Sequence, residues 1–297
     1  MRLDTEPIGF PGLGIEEINP ADGFSIFGFE IKFYGVIIAL GVLLAVLYAC
    51  RRAKEFGLTK DDIYNCVLIG VPSAIVGARL YYVILYGTPF SQWLNIRDGG
   101  IAIYGGVIGA VLGVGFFCFI NRERRKKFLP CADIAGLGLL IGQSVGRWGN
   151  FFNREAFGSY CDNLFAMRLP ESCLNGLSDS AVTELKEKAV NGFVQVHPTF
   201  LYESVWNAVG LLLIHFLSKK RKFDGQVFLY YLAWYGLGRM WIEGLRTDSL
   251  MGGSLRFSQV VAIVSVVAAT GLLIWMLLRK PKAENMLVHL QAKEETK

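Results

Sequence analysis

Seven runs of mostly apolar residues, at about 33–50, 63–86, 101–120, 131–151, 198–217, 226–244 and 258–278, constrain this chain more than any other feature. A helix needs roughly 20 such residues to cross about 30 Å of hydrocarbon, where nothing else can satisfy its backbone groups. Each run approaches that length. A soluble core would instead interleave polar residues at helical or strand period. Composition agrees, with 53% of the 297 residues hydrophobic and a mean hydropathy of +0.40. The reading is an all-α, polytopic membrane protein of seven transmembrane helices.

Basic residues orient it, because cytoplasmic loops collect Lys and Arg near span ends. Arg51, Arg52 and Lys54 follow the first run; Arg122, Arg124, Arg125, Lys126 and Lys127 follow the third. Lys219, Lys220, Arg221 and Lys222 follow the fifth, and Arg279, Lys280 and Lys282 the seventh. Seven spans put all four clusters on one side. That side is the cytoplasm, with the N-terminus outside and the C-terminus inside. Lying flush against apolar runs, the clusters read as topology signals that also attract anionic lipid headgroups, and no nucleic-acid partner is expected. The opening MRLDTEPIGFPGLGIEEINP is acidic and rich in Pro and Gly, with no basic n-region feeding an apolar core, so the first run reads as a retained helix. One integral-membrane domain is expected over 1–280, with an outward segment at 152–197 between helices four and five. A charged cytoplasmic tail, expected to be mobile, occupies 281–297.

Within the outward segment, Ala181, Val182, Leu185, Ala189 and Val190 form an apolar stripe at helical spacing. Ser178 or Ser180 suits its start and Asn191-Gly192 its end, predicting a small amphipathic helix. Cys161 and Cys173 fall in the same segment, where a disulfide or two thiols are both open. Cys50, Cys66, Cys118 and Cys131 lie in or beside spans, as small buried apolar residues do. No CxxC pair or His cluster suggests a metal. Glycines recur every four residues at 105, 109 and 113 and at 138, 142 and 146, a spacing that lets membrane helices approach closely.

Ionisable residues inside hydrocarbon are costly and face a partner or a cavity. Arg79, Asp133, Arg147, Arg239 and Glu243 fall within the runs. Asp133 lies at the start of its helix, where a carboxylate favours the positive end of the dipole, and reads as structural. Arg239, Glu243 and Arg246 stand on one helix face, and an Arg239–Glu243 salt bridge is the bland explanation of the first two. Arg147 and Asn150 share a face in the fourth run, and Asn153, Arg154 and Glu155 follow. Basic residues outnumber acids here. A positive, partly dehydrated pocket suits an anionic headgroup such as phosphate, which Arg grips with paired hydrogen bonds.

The stretch carrying Arg147, GRWGNFFNREAFG at 146–158, closely resembles the signature of prolipoprotein diacylglyceryl transferases. IKFYG at 31–35, GARLYYV at 77–83, DGGIAIYGG at 98–106, HPTFLYE at 197–203 and YGLGRMWIEGLR at 235–246 fall where that family has recurring blocks. The resemblance covers nearly the whole chain. It implies transfer of the diacylglyceryl group of phosphatidylglycerol to the lipobox cysteine of a prolipoprotein signal peptide, with release of glycerol 1-phosphate. It implies no cofactor, and a bacterial cytoplasmic membrane location with the site toward the outer leaflet. Arg147 matches the family's phosphatidylglycerol-binding arginine.

A thiol of pKa about 8.5 must become a thiolate to attack the glycerol carbon. The C–O bond breaks and a phosphate monoester leaves, so preorganised cations aimed at the developing charge are the expected main catalytic term. Arg147 and Arg239 are the candidates. Asn150 and Asn153 orient the headgroup, and Glu155 fixes an arginine or accepts a hydroxyl. Gly158 closes the signature; Arg79, Tyr34, Glu203, Tyr235, Glu243 and Arg246 complete the expected substrate-binding set. Many members have His where this chain has Tyr104. Tyr104 is either the base, if neighbouring arginines lower its pKa, or a hydrogen-bonding group beside a water-borne proton exit. His197 before a helix reads as a capping or orienting residue. An anion transporter would also need intramembrane arginines, but these cluster toward one face and no inverted repeat is visible. An intramembrane protease would need a nucleophilic serine in a GxSxG-like setting paired with a helix-borne His, and no such pairing is read in the sequence.

Overall fold

A computed structural model describes residues 7–89, 92–95, 100–174, 177–247, 251–252 and 255–295. Asp98 and Gly99 of the DGGIAIYGG block, and the first six residues of the acidic N-terminal stretch, lie outside the described residues.

Four short strands open the chain: β1 (Ile8–Phe10), β2 (Ile15–Ile18), β3 (Gly23–Ile26) and β4 (Phe29–Lys32). The helices α1 (Phe33–Arg52), α2 (Lys60–Tyr86), α3 (Ile103–Phe119), α4 (Arg122–Lys126) and α5 (Phe128–Asn153) follow. Next come β5 (Met167–Pro170), α6 (Asp179–Glu187), β6 (Phe193–Val196), α7 (Thr199–Ser218) and α8 (Gln226–Leu245). The chain closes with β7 (Met251–Gly252), β8 (Leu255–Arg256), α9 (Phe257–Leu278) and α10 (Leu287–Glu295).

A helix occupies each of the seven apolar runs. Among the described residues, five helices are long and apolar enough to cross a membrane: Phe33–Phe56, Lys60–Tyr86, Phe128–Asn153, Thr199–Ser218 and Phe257–Leu278. The other two differ for physical reasons. α3 has only 17 residues, because its backbone turns helical at Ile103. α8 has 20, but Tyr, Trp, Arg239 and Glu243 dilute its aliphatic character.

The chain divides into two compact units. The first comprises Met1–Ala45, Gly136–Lys220 and Val227–Lys280. Here the outward segment does more than carry one amphipathic helix. β5 joins β1 and β6 in an antiparallel sheet ordered β2-β1-β5-β6, with Gly9 opposite Arg168 and Met167 opposite Val196. Ile8, Met167, Leu169, Val194 and Val196 are buried beneath it, together with Leu185 of α6 and Phe151 and Phe200 from α5 and α7. The sheet therefore rests on the helix ends that carry the signature. In α6 the Ser178 hydroxyl accepts the Ala181 N–H at 3.4 Å, as the capping pattern predicts. The stripe is shorter than expected: the helix stops at Glu187, and Val190 is exposed in a turn paired with Phe193. Neither Cys161 nor Cys173 is in a disulfide. Of the glycine stripe on α5, Gly142 faces Gly41 of α1 and Gly138 faces Ala45.

The second unit comprises Val46–Ala135, Arg221–Gln226 and Pro281–Lys297. α2 starts on a capping box in which Thr59 and Asp62 satisfy each other's backbone N–H groups. It packs on α3 through a seam of small residues: a methyl on Gly77 would overlap the Gly105 carbonyl, and one on Gly109 the Ser73 carbonyl. Asp133 is fully buried, and its Oδ2 accepts the Gly225 N–H at 2.8 Å. The tail expected to be mobile forms α10. The Leu287 N–H donates to Asp224 Oδ2 at 2.8 Å, and Met286 and Leu287 are buried.

Candidate functional site

The signature begins inside α5 and runs past its end. The helix finishes at Asn153 because Arg154 takes a left-handed backbone, φ 55°, followed by Ala156 at 57°. Such conformations cost a non-glycine residue of order 1 kcal/mol and persist only where the surroundings enforce them. Arg154 is buried and donates to the carbonyls of Phe152 and Pro20 at 3.0 and 2.9 Å. The reversal folds Glu155 back, and its N–H donates to the Asn150 carbonyl at 3.0 Å. Its carboxylate Oε1 accepts from the amides of Asn150 at 2.9 Å and Asn153 at 3.3 Å. Asn150 in turn presents Oδ1 to Arg147 Nη1 at 3.4 Å. Glu155 thus reaches Arg147 through an asparagine.

Gly158 fits where the next strand-like stretch squeezes between two helix ends. Its N–H donates to the His197 carbonyl at 2.9 Å, and the Ser159 N–H to the Leu245 carbonyl at 2.8 Å. A Cβ on Gly158 would lie 2.7 Å from His197 Cβ and 2.8 Å from the Leu245 oxygen. Only glycine allows α7 and α8 to be stapled to the signature here. His197 Nδ1 lies 3.3 Å from the Tyr202 hydroxyl, and burial lowers its pKa, favouring the neutral ring.

The centre of the site is Glu203. Arg147 Nη2 lies 2.6 Å from its Oε2, while Arg239 Nη1 and Arg246 Nη1 lie 2.9 and 3.7 Å from its Oε1. Arg239 also pairs with Glu243, the bland salt bridge read from the sequence. Arg256 donates to the Glu243 carbonyl. Side chains from α5, α7 and α8 converge, with 3% of each Glu203 and Glu243 side chain exposed against 20% for Arg147. Four guanidiniums, counting Arg256 at the Glu243 carbonyl, face Glu203, Glu243 and, through Asn150, Glu155, leaving one positive charge in excess. In low dielectric every member depends on the others, and removing one partner of a buried pair costs about 3–5 kcal/mol. The sequence undervalued Glu203. The available signal was that it is the sole acidic residue in the 198–217 run.

The remaining candidates are placed as follows. Tyr34 lays its ring on the Gly149 backbone of α5. Tyr235 stacks on Tyr231 with centroids 5.8 Å apart and lines a small cleft with Glu203, Asn207 and Arg239. Arg79 belongs to the second unit and is buried. Its Nε, Nη1 and Nη2 donate to the carbonyls of Trp93, Gly100 and Gln92 at 2.9, 2.7 and 2.5 Å, so it gathers the loop between α2 and α3. Tyr104 sits half-buried in the first turn of α3, also in that unit.

A family model described as prolipoprotein diacylglyceryl transferase matches residues 22–275, which takes in the signature and all the candidate residues. The chain belongs to that family. Among its relatives, a phosphatidylglycerol–prolipoprotein diacylglyceryl transferase of Clostridium novyi (strain NT) is 41% identical over 261 residues, covering 86% of this chain and 95% of the relative. Relatives of the same name from Bacillus cereus (strain G9842) and Bacillus anthracis (strain A0248) are each 44% identical over 245 residues, covering 80% of this chain and 85% of theirs. Family membership rests on nearly the full length of the chain.

Proposed function

We propose that this protein transfers the sn-1,2-diacylglyceryl group of phosphatidylglycerol to the lipobox cysteine thiol in a prolipoprotein signal peptide. A thioether forms and glycerol 1-phosphate leaves. The observation that carries this reading is the convergence of Arg147, Arg239 and Arg246 on Glu203 near the C-terminal end of the signature helix. Such a cluster is built for a phosphate, whose oxygens match the guanidinium fork.

In this reading all seven apolar runs cross the bacterial cytoplasmic membrane as one integral-membrane domain, the N-terminus outside and the tail inside. The basic clusters supply that orientation. It places the site toward the outer leaflet, where a secreted signal peptide emerges. Arg147 and Arg239 hold the phosphodiester and stabilise the charge that grows as the glycerol C–O bond breaks. Asn150 and Asn153, oriented by Glu155, receive the headgroup. Glu243 and Arg246 fix the arginine array, Gly158 keeps the helix ends stapled, and Tyr34 and Tyr235 flank the lipid. Arg79 shapes its loop. Tyr104 either accepts the thiol proton or hydrogen-bonds while water carries it away.

Mass spectrometry on detergent-purified protein given phosphatidylglycerol and a lipobox peptide tests this. The expected result is a diacylglyceryl mass on the peptide cysteine, with the rate lowered about 100- to 1,000-fold in Arg147→Ala. Loss of the same order in Tyr104→Phe would make that hydroxyl part of the chemistry; retained activity would reduce it to packing. Wild-type protein that binds the lipid yet adds nothing to the peptide would sink the transferase reading.

A further inference from the structure

Transfer creates a charge problem at the arginine cluster. The lipid phosphodiester carries one negative charge. The thiolate brings another, and as sulfur bonds to the glycerol carbon the C–O electron pair stays on the phosphate oxygen. The neutral thioether leaves both charges on the monoester product, which near pH 7 carries about −1.5 to −2. Arginines strong enough to stabilise that leaving group would also retain it.

Resting on the transferase reading, we propose that Glu203 is a built-in counter-anion that sets the cluster's charge and so lets the product leave. Its position supports this. Both oxygens lie at ion-pair distance from guanidiniums, Oε2 from Arg147 of α5 and Oε1 from Arg239 of α8 and Arg246 just beyond it. A bridge between two helices would need one arginine; this carboxylate is shared by three. With Glu243 on the other side of Arg239, and Arg256 and Glu155 counted, the excess is held at one positive charge. One charge balances the diester and falls short of the monoester. Each guanidinium has five N–H groups, so donors remain for a phosphate while the carboxylate stays in place. Burial to 3% exposure of the Glu203 side chain keeps solvent from screening the effect.

The test measures inhibition by glycerol 1-phosphate, alongside single-turnover and steady-state rates, in wild type, Glu203→Gln, Glu203→Asp and Glu243→Gln. Removing one buried charge should tighten glycerol 1-phosphate binding about tenfold or more. Glu203→Gln should slow steady-state turnover more than its first turnover, so that a burst appears. Glu203→Asp keeps the charge and should bind product as wild type does. If Glu203→Gln melts and cannot be assayed, Glu243→Gln removes the same unit of charge and should tighten product binding likewise. Product affinity unchanged or weaker in the folded glutamine variants, with single and multiple turnover falling together, would reduce Glu203 to a scaffold. That outcome leaves the transferase reading intact, whereas a wild type that forms no thioether overturns that reading itself.

Discussion

Two helix pairs in this molecule meet across glycines and arrive at opposite solutions. Between α2 and α3 the glycines receive backbone: Gly77 faces Gly105 and Gly109, and Gly109 faces the Ser73 carbonyl. Between α7 and α8 they receive rings. Trp234 fills the notch over Gly210 and Trp206 the notch over Gly238, and the two indoles stack with centroids 4.5 Å apart at 19°. Each indole N–H donates to the other tryptophan's carbonyl at 3.0 Å. The first pair is closed nearly as tightly as backbones allow, and the polar group that enters it is the small Ser73 hydroxyl against Gly113. The second is propped apart by a ring's thickness, with its donors satisfied inside an apolar setting. Arg239 directly follows Gly238, and Glu203 lies one turn before Trp206, so the prop fixes the register in which arginine meets carboxylate. Small residues at helical spacing permit close approach; what enters the notch decides whether the pair can hold chemistry.

The strongest way to break the contrast is Trp206→Ala. It removes a ring, a stacking partner and a hydrogen bond from the α7–α8 pair, and should cost about 3–5 kcal/mol. A thermal melt in detergent checks this, and glycerol 1-phosphate binding should weaken with it as the Arg239–Glu203 register loosens. A Trp206→Ala protein that keeps both its melt and its affinity would show that the clasp positions nothing. Gly109→Val attacks the other seam by overpacking, with an expected loss of about 1–3 kcal/mol. Because the small-residue seam carries no charged group, proteolysis of the second unit should report the damage more sharply than product affinity does. The finest cut is Trp234→Phe, which keeps an aromatic ring in the Gly210 notch but loses the N–H. The cost should be about 1 kcal/mol, the scale of one net hydrogen bond. A loss as large as that of Trp206→Ala would mean that the hydrogen bonds, more than the ring, hold the pair.

The helices were legible in the sequence because apolar length is a local property. Their count as membrane spans is sharper for five than for α3 and α8, where shortness and polar aromatics weaken the same signal. The sheet was not legible. Its strands run three or four residues, too short for a period to register, and β1 pairs with β5 from far along the chain. The opening stretch read as Pro- and Gly-rich coil because Pro11 and the left-handed Gly14 make the turn between β1 and β2. α10 was masked by its charges, since the buried Met286 and Leu287 at its start stand ahead of lysines and glutamates. At the site, Arg147, Asn150 and Glu155 stood out as one motif. Glu203 did not, because its partners come from other helices and only the fold brings them together. Arg79 read as a pocket residue for being charged within a span, yet its donors go to loop carbonyls.

The paired indoles also make the protein its own optical gauge. Two tryptophans stacked this closely couple their electronic transitions, so the near-ultraviolet circular dichroism of the wild type should carry a split signal that neither ring produces alone. That signal depends steeply on separation and angle. Any motion that parts α7 from α8 during lipid entry or product exit would be written into it, without a label and without disturbing the site one turn away.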